Sequence, residues 1–148
     1  MVFFDVENSS RAEHVAFMLD HLGLPDPGAA TIVAMGNWRV VSLQTARLLA
    51  KAGAELVHSA PVPGVKDWSD LRIAAAVGLW IGTAHAADTV EVVTDDQAFD
   101  AAADVAAAHG IVFRRLSLRA IAREGAPVPQ PKRTTRARRT APRRRVRR

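Results

Sequence analysis

Thr89-Val90-Glu91-Val92-Val93-Thr94-Asp95-Asp96-Gln97-Ala98-Phe99-Asp100 is the stretch on which the fold turns. Its first five residues form an apolar, β-branched run that reads as a buried strand. The rest carries three carboxylates, at Asp95, Asp96 and Asp100. Carboxylates crowded at the end of a strand repel one another, and they are costly unless water, a cation or hydrogen-bond donors compensate. A second acidic cluster, Asp5-Val6-Glu7-Asn8, follows the other comparably strong strand, Val2-Phe3-Phe4. The two clusters are expected to meet around a divalent metal ion.

The remaining chain alternates strand and helix. Ser9 or Ser10 suits an N-cap for a helix to about His21, with Val15, Met18, Leu19 and Leu22 as its apolar stripe. Ala30 to Met35 reads as a second strand, Val40 to Ala52 as a helix stopped by Gly53, and Glu55 to His58 as a third strand. A longer helix, capped by Asp67 or Ser69, runs to about Ile81. After the opening stretch, the Ala-rich segment Phe99 to Ala108 predicts a helix, Ile111 to Phe113 a fifth strand, and Leu116 to Arg123 a last short helix.

Short, continuously apolar strands separated by helices imply an α/β fold, a three-layer sandwich with a central parallel sheet. Right-handed crossovers leave few topologies. In a doubly wound order of about 3-2-1-4-5, strands one and four are neighbours at the switch point, and ligands bind just beyond the carboxyl ends of the strands there. Asp5 and Asp96 stand at those two ends.

Composition bounds the reading. A chain of 148 residues, 49% of them apolar, suits one domain with a single core plus an appendage. The absence of cysteine excludes a disulfide scaffold, thiolate metal sites and a cysteine nucleophile, and fits a reducing cytoplasm. The N-terminus lacks the pattern of a signal peptide, and no apolar run approaches the ~20 residues that span a bilayer, so no membrane association is expected.

The net charge of +5 hides a division. Residues 1–125 hold all 15 acidic residues and 10 of the 20 Lys and Arg, a net −5, whereas residues 126–148 hold the other 10 cations and no acid. The chain thus reads as an acidic domain, 1–125, carrying a Pro/Arg-rich basic tail, 126–148, that is expected to be disordered when free. Arg138, Arg139, Arg143, Arg144 and Arg145 are its densest cations. Such a segment neutralises phosphates with little sequence preference and points to RNA as a partner.

Asp5, Asp70 and Asp96 are the core candidates for metal binding. Mg²⁺ or Mn²⁺ prefers hard oxygen ligands and usually takes one or two carboxylates while keeping several waters. Asp100, one turn beyond Asp96, is in reach of the same pocket, and Asn8 is placed to bond a carboxylate or position a water. A blander account stands beside this one: Asp67, Ser69 and Asp70 suit a helix cap, and Asp100 and Asp104 suit the first turns of a helix. Lys66 is placed either to contact a phosphate or to lie over the helix start. Trp38 and Trp68 suit either base stacking or rim packing, and Trp80 the core. The five histidines show no spacing that supports a zinc site.

Four segments in order resemble the NYN branch of the PIN-like nuclease superfamily, close to its LabA-like group. Phe3-Phe4-Asp5-Val6-Glu7-Asn8 is similar to the family's opening strand with Asp-x-x-Asn, and Ala34-Met35-Gly36-Asn37-Trp38-Arg39 to the turn after strand two. Lys66-Asp67-Trp68-Ser69-Asp70-Leu71-Arg72-Ile73 resembles the start of the acidic helix, and Val92-Val93-Thr94-Asp95-Asp96-Gln97-Ala98-Phe99 the fourth strand end. The resemblance spans about residues 2–117. It implies a metal-dependent ribonuclease with Asp5, Asp70 and Asp96 as metal-binding acids and Asn8 as an active-site polar residue. It also marks departures: Ala98 occupies the position of a usual second acid, for which Asp100 or Asp95 is a substitute, and no further helix acid follows around Val77-Gly78.

The expectation is therefore a cytoplasmic Mg²⁺- or Mn²⁺-dependent ribonuclease acting on single-stranded RNA. The alternatives are a catalytically degenerate RNA-binding or regulatory module, and a toxin-like nuclease neutralised by a regulatory protein partner. A homodimer is left open.

Overall fold

The computed structural model describes residues 1–24, 27–61 and 63–123. The basic tail, with Arg138, Arg139, Arg143, Arg144 and Arg145, lies outside the described residues.

Five strands, β1 (Val2–Asp5), β2 (Ile32–Gly36), β3 (Glu55–His58), β4 (Thr89–Val93) and β5 (Val112–Leu116), alternate with five helices, α1 (Ala12–His21), α2 (Leu43–Lys51), α3 (Trp68–Ile81), α4 (Ala101–Ala108) and α5 (Leu118–Arg123). The strands form one sheet in the order β3-β2-β1-β4-β5, parallel at every pairing. This is the predicted α/β architecture with its switch point between β1 and β4.

Alternation along the strands divides the core in two. Val2 and Phe4 of β1, Ile32 and Ala34 of β2 and Val93 of β4 pack with Val15, Met18 and Leu19 of α1, Leu49 of α2 and Ile121 of α5. Phe3, Val33, Met35, Val90 and Val92 point the other way, against Ile73, Val77 and Ile81 of α3 and Ala106 of α4. Both faces are covered, which is why the strands lack polar alternation. Phe4 is fully buried, a gain of roughly 1.5–3 kcal/mol for such a side chain. The period of two also puts Asp5 on the Phe3 side of β1 and Thr94 on the Val92 side of β4, both toward α3.

Several element boundaries depart from expectation, three of them for reasons the contacts show. Arg11, not Ser9 or Ser10, precedes α1, and no side chain caps it. The Ser9 N–H is spent on the Asp5 carbonyl at 3.1 Å, and the Ser10 carbonyl accepts from Thr45 Oγ1 at 2.7 Å. Helix α2 starts later than Val40 because Ser42 takes the cap, its Oγ accepting from the Thr45 N–H at 3.1 Å. Strand β5 continues past Phe113 through two arginines that ion pairs satisfy: Arg114 with Glu91 at 3.3 Å and Arg115 with Asp100 at 2.7 Å. Among the described residues no helix is long and apolar enough to cross a membrane.

Candidate active site at the ends of β1 and β4

Strands β1 and β4 pair in the register Phe4↔Val93, so the next residues, Asp5 and Thr94, fall level with each other. Asp5 is fully buried. A buried carboxylate needs donors, and four are supplied. The backbone N–H groups of Glu7 and Asn8 reach Oδ1 at 3.2 and 3.3 Å. The Asn8 side-chain amide and the Thr94 hydroxyl donate to Oδ2 at 2.6 and 2.9 Å. An ionised carboxylate offers about four acceptor positions, and here all are occupied. The Asp-x-x-Asn spacing thus works as a local clamp: Asn8 holds Asp5.

Helix α3 brings the second set. Its N-cap, Asp67, is left-handed at φ 54°, ψ 31°, and its side chain makes no capping bond. A non-glycine residue there is uncommon and costs roughly 1–2 kcal/mol; strain of this kind clusters at functional sites. Ser69 is not a cap either, because its hydroxyl donates to Glu7 Oε2. Asp67 therefore holds the expected N-cap position without capping through its side chain, and Ser69 does not cap. What their placement achieves is to set Asp70 against the ends of β1 and β4.

The electrostatics record that placement. Burial, then the negative charges of Asp5, Asp96, Asp67 and Glu7, push the Asp70 carboxyl from an ordinary 3.8 up to about 6. Each of these influences disfavours the charged form. None of the five acids takes part in an ion pair among the described residues. Two depressions of about 300 Å³ each open on this cluster. Asp67, Asp70, Asp96, Leu71, Ala74, Ala98 and Phe99 line one, while Glu7, Asn8, Asp67, Trp68, Ser69 and Asp70 are among those lining the other. Asp67 and Asp70 form the shared wall.

Of the three carboxylates in the opening stretch, only Asp96 joins this cleft. Its Oδ1 accepts from the Ala98 N–H at 2.9 Å, closing the turn into the 3₁₀ segment Gln97–Asp100. Asp100 points elsewhere, held bidentate by Arg115 at 2.7 and 3.3 Å. Asp95 also turns away: it accepts from Ser117 Oγ at 2.6 Å and pairs with Arg119 at 3.1 Å, which ties down the start of α5. Neither side chain reaches the cleft, whereas Ala98 lines it. Lys66 is exposed and lines neither depression. Trp38 packs at the rim of the core and donates Nε1 to the Val57 carbonyl at 3.0 Å.

Sequence reasoning gave no site role to Asp67, Ser69 and Thr94, and placed Glu7 only as a member of the acidic cluster after β1. Strand alternation signals Thr94, since it shares the inward face of Val90 and Val92. The other three depend on how α3 is presented, which no periodicity encodes.

The donor set is all oxygen and strongly negative, the chemistry that hard divalent cations satisfy. Among the described residues no group of three or more Asp, Glu or His is placed so that together they could hold a metal ion. No protein-family model matches this chain, and no curated protein matches it significantly.

Proposed function

We propose that this chain is a divalent-cation-dependent ribonuclease of the NYN branch of the PIN-like superfamily, acting on single-stranded RNA. One observation carries the reading: Asp5, Glu7, Asp67, Asp70 and Asp96 gather without a cationic partner among the described residues, and burial together with the other four charges pushes Asp70 up to about 6. A cation relieves such a cluster.

Asp70 and Asp96, which line the cleft, would hold Mg²⁺ or Mn²⁺, with Asp5 buried behind them as fixed negative charge. Bound there, such an ion polarises a phosphate oxygen and makes a water more acidic. The protein's own groups prepare the place. Asn8 and Thr94 hold Asp5 in one orientation, Ser69 holds Glu7 at the rim, and Glu7 or Asp67 is available to accept a proton from water. The cations of the tail would hold RNA near a pocket that otherwise repels it.

The test is cleavage of a single-stranded RNA with Mn²⁺ by the wild type, Asp70→Asn and Asp96→Asn. Loss of on the order of a hundredfold or more in rate in both variants is expected; equal cleavage by Asp96→Asn removes that residue from the mechanism. A second reading, a non-cleaving RNA-binding module, is favoured by Ala98 in the cleft wall. RNA binding without turnover at any divalent ion would select it.

A further inference from the structure

Two of the three tryptophans serve the core: Trp38 packs against one apolar cluster and Trp80 against the other. Trp68 belongs to neither cluster among the described residues. It is half-buried at the first position of α3. Leu71 and Arg72 follow at i+3 and i+4, on the same helix face, and Leu71 is 62% exposed. These three side chains line a third groove, of about 260 Å³ and almost wholly apolar.

The groove is continuous with the acidic cleft. Trp68 also lines the depression that holds Glu7 and Asp70, and Leu71 lines the one that holds Asp70 and Asp96. Exposed Leu71 and the half-buried indole of Trp68 leave apolar surface open beside a polar cleft. Arg72 is the one cation lining any of the three depressions among the described residues. It donates from Nη1 to the His58 carbonyl at 2.9 Å. That bond anchors the guanidinium at the groove, and most of its five N–H donors have no partner among the described residues.

We propose that Trp68, Leu71 and Arg72 form a base-binding platform that seats one unpaired base of an RNA strand beside the acidic cleft. The proposal rests on the ribonuclease reading and names what holds the substrate there. An indole face stacks any base, which gives affinity with little sequence preference. The guanidinium supplies the positive charge that a polyanion needs on an otherwise acidic rim, and it can contact a phosphate or stack. A duplex cannot use such a platform, because its bases are already stacked and paired. Trp68 and Arg72 are therefore positioning residues for single-stranded substrate.

The experiment measures binding apart from cleavage. A fluorescein-labelled oligouridylate, and the same chain with abasic sites, are titrated with the full-length protein in Ca²⁺ at raised salt, which suppresses phosphate contacts. Wild type, Trp68→Ala, Trp68→Phe and Leu71→Asp are compared, with Mn²⁺-dependent cleavage and light scattering run alongside. Trp68→Ala should weaken oligouridylate binding about tenfold to a hundredfold, Leu71→Asp should weaken it as well, and Trp68→Phe should keep most of the affinity. The abasic chain should bind all four proteins equally weakly. In cleavage, KM should rise more than kcat falls. Unchanged affinity and KM in Trp68→Ala and Leu71→Asp, with wild-type cleavage intact, overturns the platform and leaves the nuclease standing. A wild type that neither binds nor cleaves RNA overturns both. A dimer that Leu71→Asp dissolves, with RNA affinity unchanged, gives the face to a second copy and overturns the platform.

Discussion

Thr94 Oγ1 donates to Asp5 Oδ2 at 2.9 Å across the β1–β4 pairing, joining two residues 89 positions apart in the chain. Both are buried. The contact exists only because β4 lies beside β1, so it fastens the site to the sheet topology. Thr94→Val keeps the shape and removes the donor. It should cost about 1.5–3 kcal/mol, the range for a hydrogen bond to a charged group, in chemical denaturation at neutral pH.

Asp70 gives a pH signature with a definite sign. Its carboxyl lies at about 6 in the folded protein against an ordinary 3.8, so the native state holds the proton more tightly than the unfolded state. The resulting penalty is absent when both states are protonated, below about 3.8. It grows as pH rises toward about 6, and is complete above that. Asp70→Asn should therefore melt at a higher temperature than wild type above pH ~6 without divalent ions, with the gap closing toward pH ~4. Thermal melts across that range check it, and a gap that widens on acidification contradicts it. Added Mn²⁺ should raise the wild-type midpoint more than that of Asp70→Asn.

Gly36 sets how closely β2 approaches the residues after β1. Its φ is +152°, and a Cβ there would lie 2.6 Å from Val6 Cγ2 and 3.2 Å from Glu7 Cγ. Val6 is buried in the core and has little room to yield. Gly36→Ala should cost about 1–3 kcal/mol, as overpacking does, and should weaken Mn²⁺ binding by displacing Glu7. Denaturation and metal titration of the one variant measure both effects.

Asp100 separates charge in the neighbourhood from charge in the site. Its partner is Arg115 and its side chain is 56% exposed, so losing the pair should cost no more than about 1 kcal/mol. Asp100→Asn should bind Mn²⁺ and cleave RNA as the wild type does. A large loss of either would return Asp100 to the cleft.

Sheet order and the meeting of Asp5 with the fourth strand end were legible because both follow from short apolar strands alternating with helices. Handedness and the switch-point rule then leave little freedom. Asp96 was legible for the same reason. The role of Asp100 was not: it depends on β5 running on through Arg114 and Arg115, whose charges argue against a strand until their partners Glu91 and Asp100 are in place. Asp67 was not legible as a site acid, and Glu7 was legible only as part of the acidic cluster after β1. Their inclusion depends on the left-handed turn at Asp67 and the Ser69–Glu7 hydrogen bond, which arise from how a loop delivers α3 to the sheet. Residue type alone favoured a side-chain cap at Asp67 or Ser69, and tertiary contacts overrode it.

The most direct measurement is calorimetric titration of Mn²⁺ into the wild type, Asp70→Asn, Asp96→Asn and Asp100→Asn near pH 7.5. Saturable binding by the wild type and Asp100→Asn, lost or strongly weakened in Asp70→Asn and Asp96→Asn, is the predicted result. Binding that is absent from the wild type, or unchanged in Asp70→Asn and Asp96→Asn, would contradict a metal centre at the ends of β1 and β4.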